Sequence, residues 1–508
     1  MSLIEQMLQA GFYTHEVIEP IVLIQTHVSY VFLTGDYAYK VKKPVNFGFL
    51  DYSTLEKRSH FCRLELEMNK RGAPELYLEV LPVTQSEGKF SLSATGEPVE
   101  YVLKMRQFPQ SALLSEMFEQ GTLQELHMEQ LGQVVAKYHE QAQSSDRIRS
   151  FGEVAQVRQA IDENYQQTQK YIGNPQTEAQ YTETKQYTDN FFIGRSQLFE
   201  SRIENNKIRE CHGDLHLRNI CLWDDKILLF DCIEFNEPFR FVDVMYDVAF
   251  TVMDLQAKQR PDLGNAFLNT YVEQTGDWEG LQVLPLYLSR QAYVRAKVTS
   301  FLLDDPGIPE AAKVEAMATA SGYYKLAWEY TKPREGKLIL MSGLSGAGKS
   351  TTARQLARKL DAIHLRSDAV RKHLGNIPLS ERGSDELYTP EMTQKTYERL
   401  LQLGVMLARQ GFTVILDAKY DRTALRTNAI TLADSEQLPL QIIHCTAPIE
   451  VLRDRISTRT GDIADATADL LESQIANTEA FTPIEQSYVQ TLDTTKPIEP
   501  QLGKIYAG

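Results

Sequence analysis

Long apolar runs are missing from this sequence. No stretch approaches the roughly 18 consecutive apolar residues that a membrane helix needs. The first residues, MSLIEQMLQAGFY, also lack a basic segment followed by a hydrophobic one, which is the pattern of an export signal. We therefore expect a cytoplasmic protein with no membrane-spanning helix.

Cysteine and positive charge are also scarce. The 508 residues include five cysteines, an odd number with no C-x-x-C pair, which favours reduced thiols over disulfides or a zinc site. Lysine and arginine number 53 against 68 aspartates and glutamates, which gives a net charge of −15. Such a surface repels polyanions and argues against general nucleic-acid binding, whereas a small anion needs only a local basic pocket.

The chain is too long for one ordinary hydrophobic core. The clearest boundary is the charged Pro/Gly segment EYTKPREGK, which separates a tyrosine-rich helical pattern from the apolar strand LILMS. We predict one domain over residues 1–330 and a second over residues 336–508. The first begins with a helix, LIEQMLQAGF, and three strands, IVLIQTH, SYVFLTG and AYKVKKP, and later shows helical periodicity from Val154 to Glu204.

The second domain alternates strands with helices. Its strands are short and apolar with little alternation, which predicts a parallel sheet covered on both faces. Five are expected: LILMS, IHLRS, TVILD, QIIHC and VQTLD. The pattern therefore predicts an α/β domain with a parallel five-stranded sheet.

The first of these strands leads into GLSGAGKS, which fits G-x-x-x-x-G-K-S and opens a helix. Glycines in such a loop let backbone N–H groups converge on phosphates, the lysine reaches the terminal phosphates, and the serine hydroxyl binds Mg²⁺. We expect Mg²⁺ to be held by Ser350 and by Asp417, at the end of TVILD. The expected ATP ligands are Gly343, Ser345, Gly346, Ala347, Gly348, Lys349, Ser350 and Thr351.

Further positions favour a kinase over a mechanical ATPase. Asp368 follows the strand IHLRS, where a carboxylate can accept the proton of a substrate hydroxyl, and Arg371 lies one turn later, where it can hold an anionic group. The alternative for Asp368 is a helix cap. The segment PIEVLRDRISTRTGD adds Arg453, Arg455 and Arg459, which form either a lid over the phosphoryl group or a solvated basic face. Of these, Arg459 is predicted to take part in catalysis.

This second domain resembles the small P-loop kinases with an AAA-type ATP-binding core, including the polynucleotide-kinase-like and chloramphenicol-phosphotransferase-like group. The matching motifs are the phosphate loop, S-D-x-x-R from Ser367 to Arg371, V-I-L-D-A, and the arginine-rich segment. Similar proteins often have threonine and an aromatic residue after D-A, whereas this chain has Lys419 and Tyr420. The departure concerns the acceptor more than the nucleotide.

In the first domain, CHGDLHLRNIC places Asp214 five residues before Asn219. This is the interval of the H-R-D-L-x-x-x-N catalytic loop of protein kinases, with Gly213 in place of the arginine. A hairpin, ICLW-DD-KILLF, follows and ends at Asp231. A second carboxylate is thus expected beside the first loop, in a D-C-I sequence that replaces D-F-G.

The combination resembles the aminoglycoside phosphotransferase family, whose signature H-G-D-x-H-x-x-N and later I-D are matched by His212 to Asn219 and by Phe230-Asp231. The resemblance implies an α+β, protein-kinase-like bilobal domain, with an N-lobe over about residues 1–106 and a C-lobe over about residues 107–330. It implies that Asp214 is the catalytic base and that Asn219 and Asp231 bind Mg²⁺. It also implies that Asp247 orients the catalytic loop.

Two neighbouring residues have less defined roles. His216 is expected to brace the loop or to be an ordinary turn residue. Glu234, three residues past Asp231, is either a ligand of a second metal ion or, more simply, a structural carboxylate.

An ATP-anchoring lysine is expected on AYKVKKP if the resemblance holds. Lys40 is preferred, and Lys42, which points to the same face at period two, is the alternative. The carboxylate partner should lie on the next helix, FCRLELEMNKR, where Glu65 is preferred over Glu67. No G-x-G-x-x-G joins the first two strands, only THVSY, so Ser29 and backbone N–H groups are expected to cover the phosphates, with adenine near residues 104–107.

The leading hypothesis is a bifunctional ATP-dependent phosphotransferase in which each domain transfers the γ-phosphoryl group of Mg-ATP to a hydroxyl of a small molecule. One alternative is that one domain binds ATP as a sensor that regulates the other. A second is that the P-loop half is a nucleic-acid 5′-hydroxyl kinase, which the acidic composition disfavours. Acceptor specificity is expected in two inserts, residues 154–204 and 377–390, whose composition names no ligand.

Overall fold

The computed structural model of the chain describes residues 1–93, 95–458, 463 and 470–504. The chain forms two compact units. The first comprises Met1–His127, Lys137–Asp254 and Tyr287–Ala327, and the second comprises Met128–Ala136, Leu255–Leu286 and Trp328–Gly508. The second unit thus includes two segments that precede the boundary expected from the sequence.

The described residues of the first unit form ten strands. They are β1 (Val22–Gln25), β2 (Ser29–Leu33), β3 (Tyr37–Lys42), β4 (Tyr77–Ser86), β5 (Lys89–Leu92), β6 (Pro98–Arg106), β7 (Ile208–Glu210), β8 (Ile220–Trp223), β9 (Lys226–Leu229) and β10 (Phe241–Asp243).

Along the whole chain, the described residues form nineteen α-helices. They are α1 (Leu3–Met7), α2 (Leu55–Asn69), α3 (Leu114–Glu119), α4 (Glu125–Gln141), α5 (Asp146–Ser150), α6 (Val154–Thr168), α7 (Glu178–Phe192), α8 (Ser196–Glu204), α9 (Glu237–Arg240), α10 (Val244–Ala257), α11 (Pro261–Thr275), α12 (Leu284–Phe301), α13 (Glu310–Glu329), α14 (Lys349–Leu360), α15 (Ser367–Leu374), α16 (Pro390–Ala408), α17 (Thr423–Ser435), α18 (Ile449–Thr458) and α19 (Leu470–Asn477).

The amino-terminal part of the first unit is a six-stranded antiparallel sheet with strand order β1-β2-β3-β6-β4-β5. The three strands expected first are β1, β2 and β3, and Gly35 turns between the last two with a φ of 108°. Alternate residues of these strands, including Phe32, Tyr39 and Val41, enter a common apolar core. The remainder of the unit is mainly helical, and residues 154–204 form α6, α7 and α8 as expected. The bilobal α+β, kinase-like class predicted from the sequence is therefore confirmed.

A two-residue turn joins β8 to β9, which pair as an antiparallel hairpin. The turn residues, Asp224 and Asp225, have φ values of 48° and 57°. Two successive positive values are typical of a turn whose twist matches that of the strands, and aspartate tolerates this conformation. The chain therefore reverses within two residues and returns to the catalytic loop, as the sequence predicts.

The second unit contains a parallel five-stranded sheet, which confirms the predicted fold class. Its strands, which pair in the order β12-β13-β11-β14-β15, have apolar side chains on both faces because helices cover both sides. The strands are β11 (Lys337–Ser342), β12 (Ile363–Arg366), β13 (Thr413–Asp417), β14 (Leu440–Thr446) and β15 (Val489–Asp493).

Two further expectations concern membranes and cysteines. Among the described helices, none is both long enough and apolar enough to cross a bilayer. All five cysteines are buried free thiols.

Candidate active sites

The catalytic loop of the first unit is organised around Asp214 and Asn219. The Asn219 amide nitrogen donates to the backbone oxygen of Asp214 at 3.0 Å and to its carboxylate at 3.1 Å. His216 Nε2 lies 3.4 Å from the same carboxylate, whose side chain is 37% exposed. The loop therefore holds Asp214 from two sides while leaving it open to a ligand.

The charge of Asp214 is maintained by its neighbours. Burial alone would raise the pKa of this carboxyl, but His216, His212 and Arg295 outweigh burial and lower the pKa below its usual value. The group is thus ionised at neutral pH and can accept a hydrogen bond from a hydroxyl.

Asp247 orients this loop from beneath. Its carboxylate accepts hydrogen bonds from the backbone N–H groups of His212 at 2.7 Å and Gly213 at 2.8 Å. The Nε2 atom of His139 lies 3.2 Å from the same carboxylate. Asp247 is fully buried, and its oxygens contact the backbone rather than an open surface, which is the arrangement of a loop-orienting residue.

A network of lysines and carboxylates lies beside the loop. Lys40 Nζ is 2.7 Å from Glu65 and 2.7 Å from Asp231, while Lys42 Nζ is 2.6 Å from the other oxygen of Glu65 and 2.5 Å from Glu234. Glu65 is fully buried, and it binds both candidate lysines. The alternative partner, Glu67, is exposed.

The two lysines differ in what else they reach. The Lys40 side chain is 16% exposed and contacts Asp231, whose side chain is 47% exposed, whereas Lys42 is 2% exposed. Lys42 is enclosed further by the Tyr52 hydroxyl at 3.2 Å. Glu234 therefore pairs with a buried lysine in this structure, and Lys40 is the lysine that shares a solvent-accessible site with Asp231.

The ion pairs determine the protonation states in this network. Burial acts to lower the pKa of both lysines, but nearby carboxylates outweigh burial and raise both pKa values well above the usual range. These carboxylates are Asp231 and Glu65 at Lys40, and Glu234 and Glu65 at Lys42. Burial likewise acts to raise the pKa of Glu65, yet the two lysines lower it to about 2. Lys40, Lys42 and Glu65 are therefore charged at neutral pH.

Helix α2 is attached to the strand end that delivers Asp231. Asn69 Oδ1 accepts from the backbone N–H of Cys232 at 3.0 Å, and the Gly72 carbonyl accepts from the N–H of Leu229 at 3.2 Å. A Cβ atom on Gly72 would lie only 2.4 Å from the Leu229 carbonyl oxygen, so only glycine permits this approach. The helix that carries Glu65 and the strand that precedes Asp231 therefore hold a fixed separation.

The oxygen donors of the first unit suit Mg²⁺. The N–H of Phe230, next to Asp231, donates to the Asn219 backbone oxygen at 3.0 Å, which brings the two predicted ligands together. Among the described residues, the Asn219 amide oxygen and the second carboxylate oxygen of Asp231 accept no hydrogen bond. Amide and carboxylate oxygens are the hard ligands that Mg²⁺ prefers.

The phosphate loop of the second unit runs from Gly343 into α14. Gly343, Gly346 and Gly348 have φ values of 135°, 77° and 81°, a conformation that other residues rarely adopt. A Cβ atom on Gly343 would lie 2.4 Å from the Cys445 carbonyl oxygen. The loop thus turns tightly against β14 and brings its N–H groups to the amino terminus of a helix, which is an anion-binding arrangement.

Lys349 begins α14, and its ammonium group donates to the Leu344 carbonyl at 2.9 Å. Burial lowers the pKa of Lys349, although Asp417 and Asp368 act in the opposite direction. This lysine is therefore held within the loop by a backbone carbonyl rather than by a carboxylate. Ser350 and Thr351 follow on the same helix and line the cavity described below.

Asp417 ends β13 and is buried beside His364, whose Nε2 atom lies 3.0 Å from the carboxylate. Burial would raise the pKa of Asp417, but His364, Arg366 and Lys349 lower it to about 2. Its other oxygen accepts no hydrogen bond from the described residues. An ionised carboxylate oxygen and the Ser350 hydroxyl, both facing one cavity, are a donor set that fits Mg²⁺.

A cavity of about 1150 Å³ opens over the phosphate loop. Asp368, in the first turn of α15, and Arg371 both line it. The Arg371 guanidinium also donates to the Leu387 carbonyl at 2.8 Å and lies 3.2 Å from the Thr393 hydroxyl. The cavity therefore combines a phosphate-binding end with a carboxylate and a guanidinium.

Of the three arginines of the expected lid, the two that the structure describes have different environments. Arg453 is 52% exposed and pairs with Glu472 at 3.2 Å. Arg455 donates to Thr494 at 2.9 Å and to the Gly346 carbonyl at 3.3 Å, so it packs against the phosphate loop. Arg459 lies outside the described residues.

Sequence reasoning missed several residues of these sites. His364 contacts Asp417, and its one signal is a polar residue within the apolar strand IHLRS. The side-chain oxygen of Gln474 accepts a hydrogen bond from the Ser345 N–H at 3.1 Å, although Gln474 lies more than a hundred residues further along the chain. Ser29, expected over the phosphates, is buried, and its hydroxyl has no hydrogen-bond partner in the described part of the chain.

Comparison with known proteins defines the class. Residues 338–481 match the AAA domain family. An adenylyl-sulfate kinase of Myxococcus xanthus is 31% identical over 121 residues, which cover 23% of this chain and 61% of that protein. The GDP complex of aminoglycoside 2′-phosphotransferase-IIIa covers 63% of this chain and 97% of its own at 12% identity, with a TM-score of 0.38. With its phosphate loop and parallel sheet, the chain is a kinase of the ATP-dependent phosphotransferase class, and the predicted resemblance to P-loop kinases is confirmed.

One comparison spans nearly the whole chain. Rv2004c, an uncharacterized protein of Mycobacterium tuberculosis, is 31% identical over 486 residues, which cover 95% of this chain and 94% of that protein. The chain belongs to the family of this mycobacterial protein.

Proposed function

We propose that the chain is a bifunctional phosphotransferase in which each unit transfers the γ-phosphoryl group of Mg-ATP to a hydroxyl of a small molecule. The observation that supports this most directly is that each unit has its own set of parts. Each combines a lysine, a carboxylate that can act as a base, and oxygen ligands suited to Mg²⁺. Neither set needs a residue from the other unit.

In the first unit, the hydroxyl oxygen of the acceptor bonds to the γ-phosphorus, and Asp214 accepts the proton of that hydroxyl. The bond between that phosphorus and the β–γ bridging oxygen breaks, and ADP leaves with the electron pair. Lys40, held by Glu65 and Asp231, binds the ATP phosphates. Asn219 and Asp231 would hold Mg²⁺, which neutralises charge on the phosphates when it is bound.

In the second unit, the glycines of the phosphate loop and Lys349 bind the phosphates, and Ser350 and Asp417 would hold Mg²⁺. Asp368 takes the acceptor proton in the same balanced step, and Arg371 holds an anionic part of the acceptor or nucleotide. The cavity of about 1150 Å³ has room for a nucleotide and a second small molecule. The match to an adenylyl-sulfate kinase supports a small-molecule acceptor for this unit.

We further propose that the protein acts in the cytoplasm on small molecules and not on nucleic acid or membranes. The net charge of −15 supports the exclusion of nucleic acid, because a polyanion would be repelled at long range.

Two substitutions in the full-length chain test the proposal. Asp214→Ala and Asp368→Ala should each lower their own reaction about 10²- to 10⁴-fold and leave the other reaction unchanged. The measurement is ADP formation against a panel of alcohols, sugars, nucleosides and a 5′-hydroxyl oligonucleotide. Asp146→Ala and Asp434→Ala, at exposed positions of α5 and α17, are the matched controls.

The outcomes separate the alternatives. Loss of both activities from either substitution would contradict two independent sites. Tight ATP binding by one unit without turnover of any acceptor would favour a sensor in that unit. Turnover of the oligonucleotide alone would favour the nucleic-acid kinase.

A further inference from the structure

Helix α12 carries an unusual set of charges in the first unit. Its sequence, LPLYLSRQAYVRAKVTSF, contains three cationic residues and no acidic one. Arg290 and Lys297 are two helical turns apart and therefore lie on one face. Arg295 lies between them in sequence.

Arg290 is buried without a carboxylate. It is 8% exposed, its guanidinium lies 4.6 Å from the centre of the Tyr246 ring, and its Nε atom has no hydrogen-bond partner among the described residues. A buried charge that no carboxylate neutralises has a high desolvation cost. Such a group is normally paired or binds a ligand.

Other buried arginines of the first unit show the normal arrangement. Each of three contacts a carboxylate within 3.1 Å: Arg58 with Glu100, Arg202 with Asp243, and Arg240 with Glu210. Arg290 is therefore an exception within its own unit and not an instance of a general pattern.

Lys297 is the second cation on this face, and its hydrogen-bond partners are neutral, although Glu163 acts at longer range to raise its pKa. Its Nζ atom donates to the Asn164 amide oxygen at 2.7 Å and to the Gln167 amide oxygen at 3.0 Å. Burial, followed by the nearby charge of Arg290, lowers the pKa of Lys297 to about 8. Two cations thus lie close together in a half-buried place where no described carboxylate forms an ion pair with either.

The same place is near Asp214, the proposed catalytic base of the first unit. Burial raises the pKa of the Tyr246 hydroxyl. The nearby charge of Arg290 opposes this shift, and the charge of Asp214 adds to it. Arg295 also acts directly on Asp214 by lowering its pKa. Arg295 is therefore within electrostatic range of the carboxylate that accepts the acceptor proton, and Arg290 lies against Tyr246, which is next in sequence to the loop-orienting Asp247.

We propose that Arg290 and Lys297 form an anion-binding site that holds the phosphate or carboxylate group of the acceptor in the first unit. The acceptor is then a hydroxylated phosphate monoester or a hydroxy acid, and its hydroxyl reaches Asp214. This rests on the function proposed above for that unit, and the transfer step is the same. A cationic acceptor would be repelled by the same two side chains.

The first test measures binding without turnover. In the full-length chain, Lys349→Ala weakens the competing phosphate site of the second unit, and inorganic phosphate is titrated by calorimetry. In that background Arg290→Gln should weaken phosphate binding about 10- to 100-fold, the range of hydrogen bonds to charged groups. Lys297→Gln should have a smaller effect, and Arg147→Gln, whose side chain is 71% exposed, should have none.

Thermal unfolding of the same variants checks the folded state. Arg290→Gln should unfold at the same temperature as the parent or higher, because it removes an unpaired buried charge. If Arg290→Gln unfolds at a lower temperature than the parent, the variant Arg290→Lys, which keeps the positive charge, must restore phosphate binding. Phosphate affinity that is the same in Arg290→Gln and Arg147→Gln would overturn the site.

The second test uses turnover to identify the anionic group. Glycerol, glycerol 3-phosphate, glycerate and 2-aminoethanol are compared as acceptors in the Lys349→Ala background. The anionic acceptors should be preferred, and Arg290→Gln should raise their KM about tenfold or more with less effect on kcat and none on the KM for ATP. A preference for the neutral or cationic acceptor would overturn the acceptor class.

The two tests separate this inference from the proposed function. Phosphate binding that depends on Arg290, without turnover of any acceptor, would count against phosphoryl transfer by the first unit and leave the anion site in place. Acceptor turnover that is the same in Arg290→Gln and in the parent would support phosphoryl transfer by the first unit and count against the anion site.

Discussion

The two nucleotide sites of this chain hold their lysines in opposite ways. In the first unit, Lys40 and Lys42 are fixed by carboxylates, and their pKa values are raised well above the usual range because those carboxylates outweigh burial. In the second, Lys349 contacts a backbone carbonyl, and burial lowers its pKa. The first site depends on side-chain ion pairs, and the second on backbone geometry set by glycines.

The difference has a consequence for robustness. An ion-pair network fails when one member is removed, because the others remain charged and buried. A phosphate loop retains its N–H groups whatever side chain is changed. The two sites should therefore respond differently to mutation and to pH.

The largest effect is expected at Glu65. Glu65→Gln leaves two buried lysines short of one negative charge, so the free energy of unfolding of the first unit should fall by about 3–5 kcal/mol. Denaturant unfolding of the full-length chain, followed by tryptophan fluorescence and circular dichroism, measures this. Glu67→Gln, on the same helix but exposed, should change it by less than about 0.5 kcal/mol, and equal effects would contradict the network.

The next effect separates the two lysines. Lys40→Met should lower first-unit turnover about 10²- to 10³-fold, because Lys40 contacts the predicted Mg²⁺ ligand Asp231. Lys42→Met should instead reduce stability, since Glu234 then remains buried without its lysine. Nucleotide titrations of both folded variants decide the matter, and a loss of ATP affinity in Lys42→Met alone would reverse the assignment.

A smaller effect is expected at His364. This residue orients Asp417 from behind, and loss of such a partner typically lowers metal affinity or activity about 10- to 100-fold. His364→Phe should therefore raise the Mg²⁺ concentration that the second unit needs for half-maximal turnover, while turnover by the first unit stays unchanged. His127→Phe, at a site outside both networks, is the control. An unchanged Mg²⁺ requirement would remove His364 from the site.

The smallest effect is the response to alkaline pH. Because the pKa of Lys349 is lowered and that of Lys40 is raised, Lys349 loses its proton first as pH increases. ATP affinity of the second unit should fall about tenfold per pH unit above the Lys349 pKa, while that of the first unit persists. Titrations of Lys40→Met and Lys349→Ala between about pH 7 and pH 10 report each site separately, and parallel curves would contradict the comparison.

Local sequence patterns were sufficient for much of the fold. The phosphate loop lies between an apolar strand and a helix, and the Asp224-Asp225 pair predicts a tight hairpin. Strands β4 and β5 were missed because polar residues and a proline interrupt their apolar residues in YLEVLPVTQSEGKFSL. Long-range placement was also beyond reach, as with the segment 255–286, whose apolar periodicity predicts helices but not which unit they join.

The sites show the same limit. Period two places Lys40 and Lys42 on one face, but only the folded chain shows that Glu65 has one oxygen for each. The sequence shows that α12 carries no acidic residue, but only the folded chain shows that no described carboxylate of another segment pairs with Arg290. Chemistry that depends on a missing partner can be recognised only in three dimensions.

The close contact of Gly72 with Leu229, described above, bears on regulation. Many protein kinases are switched off by moving the helix that carries the glutamate of the lysine pair away from the site. Here that helix is bonded at its end to the strand preceding Asp231, and there is no space for a side chain between them. We expect the first unit to lack such an off state, so its output should follow the supply of nucleotide and acceptor rather than a phosphorylation signal.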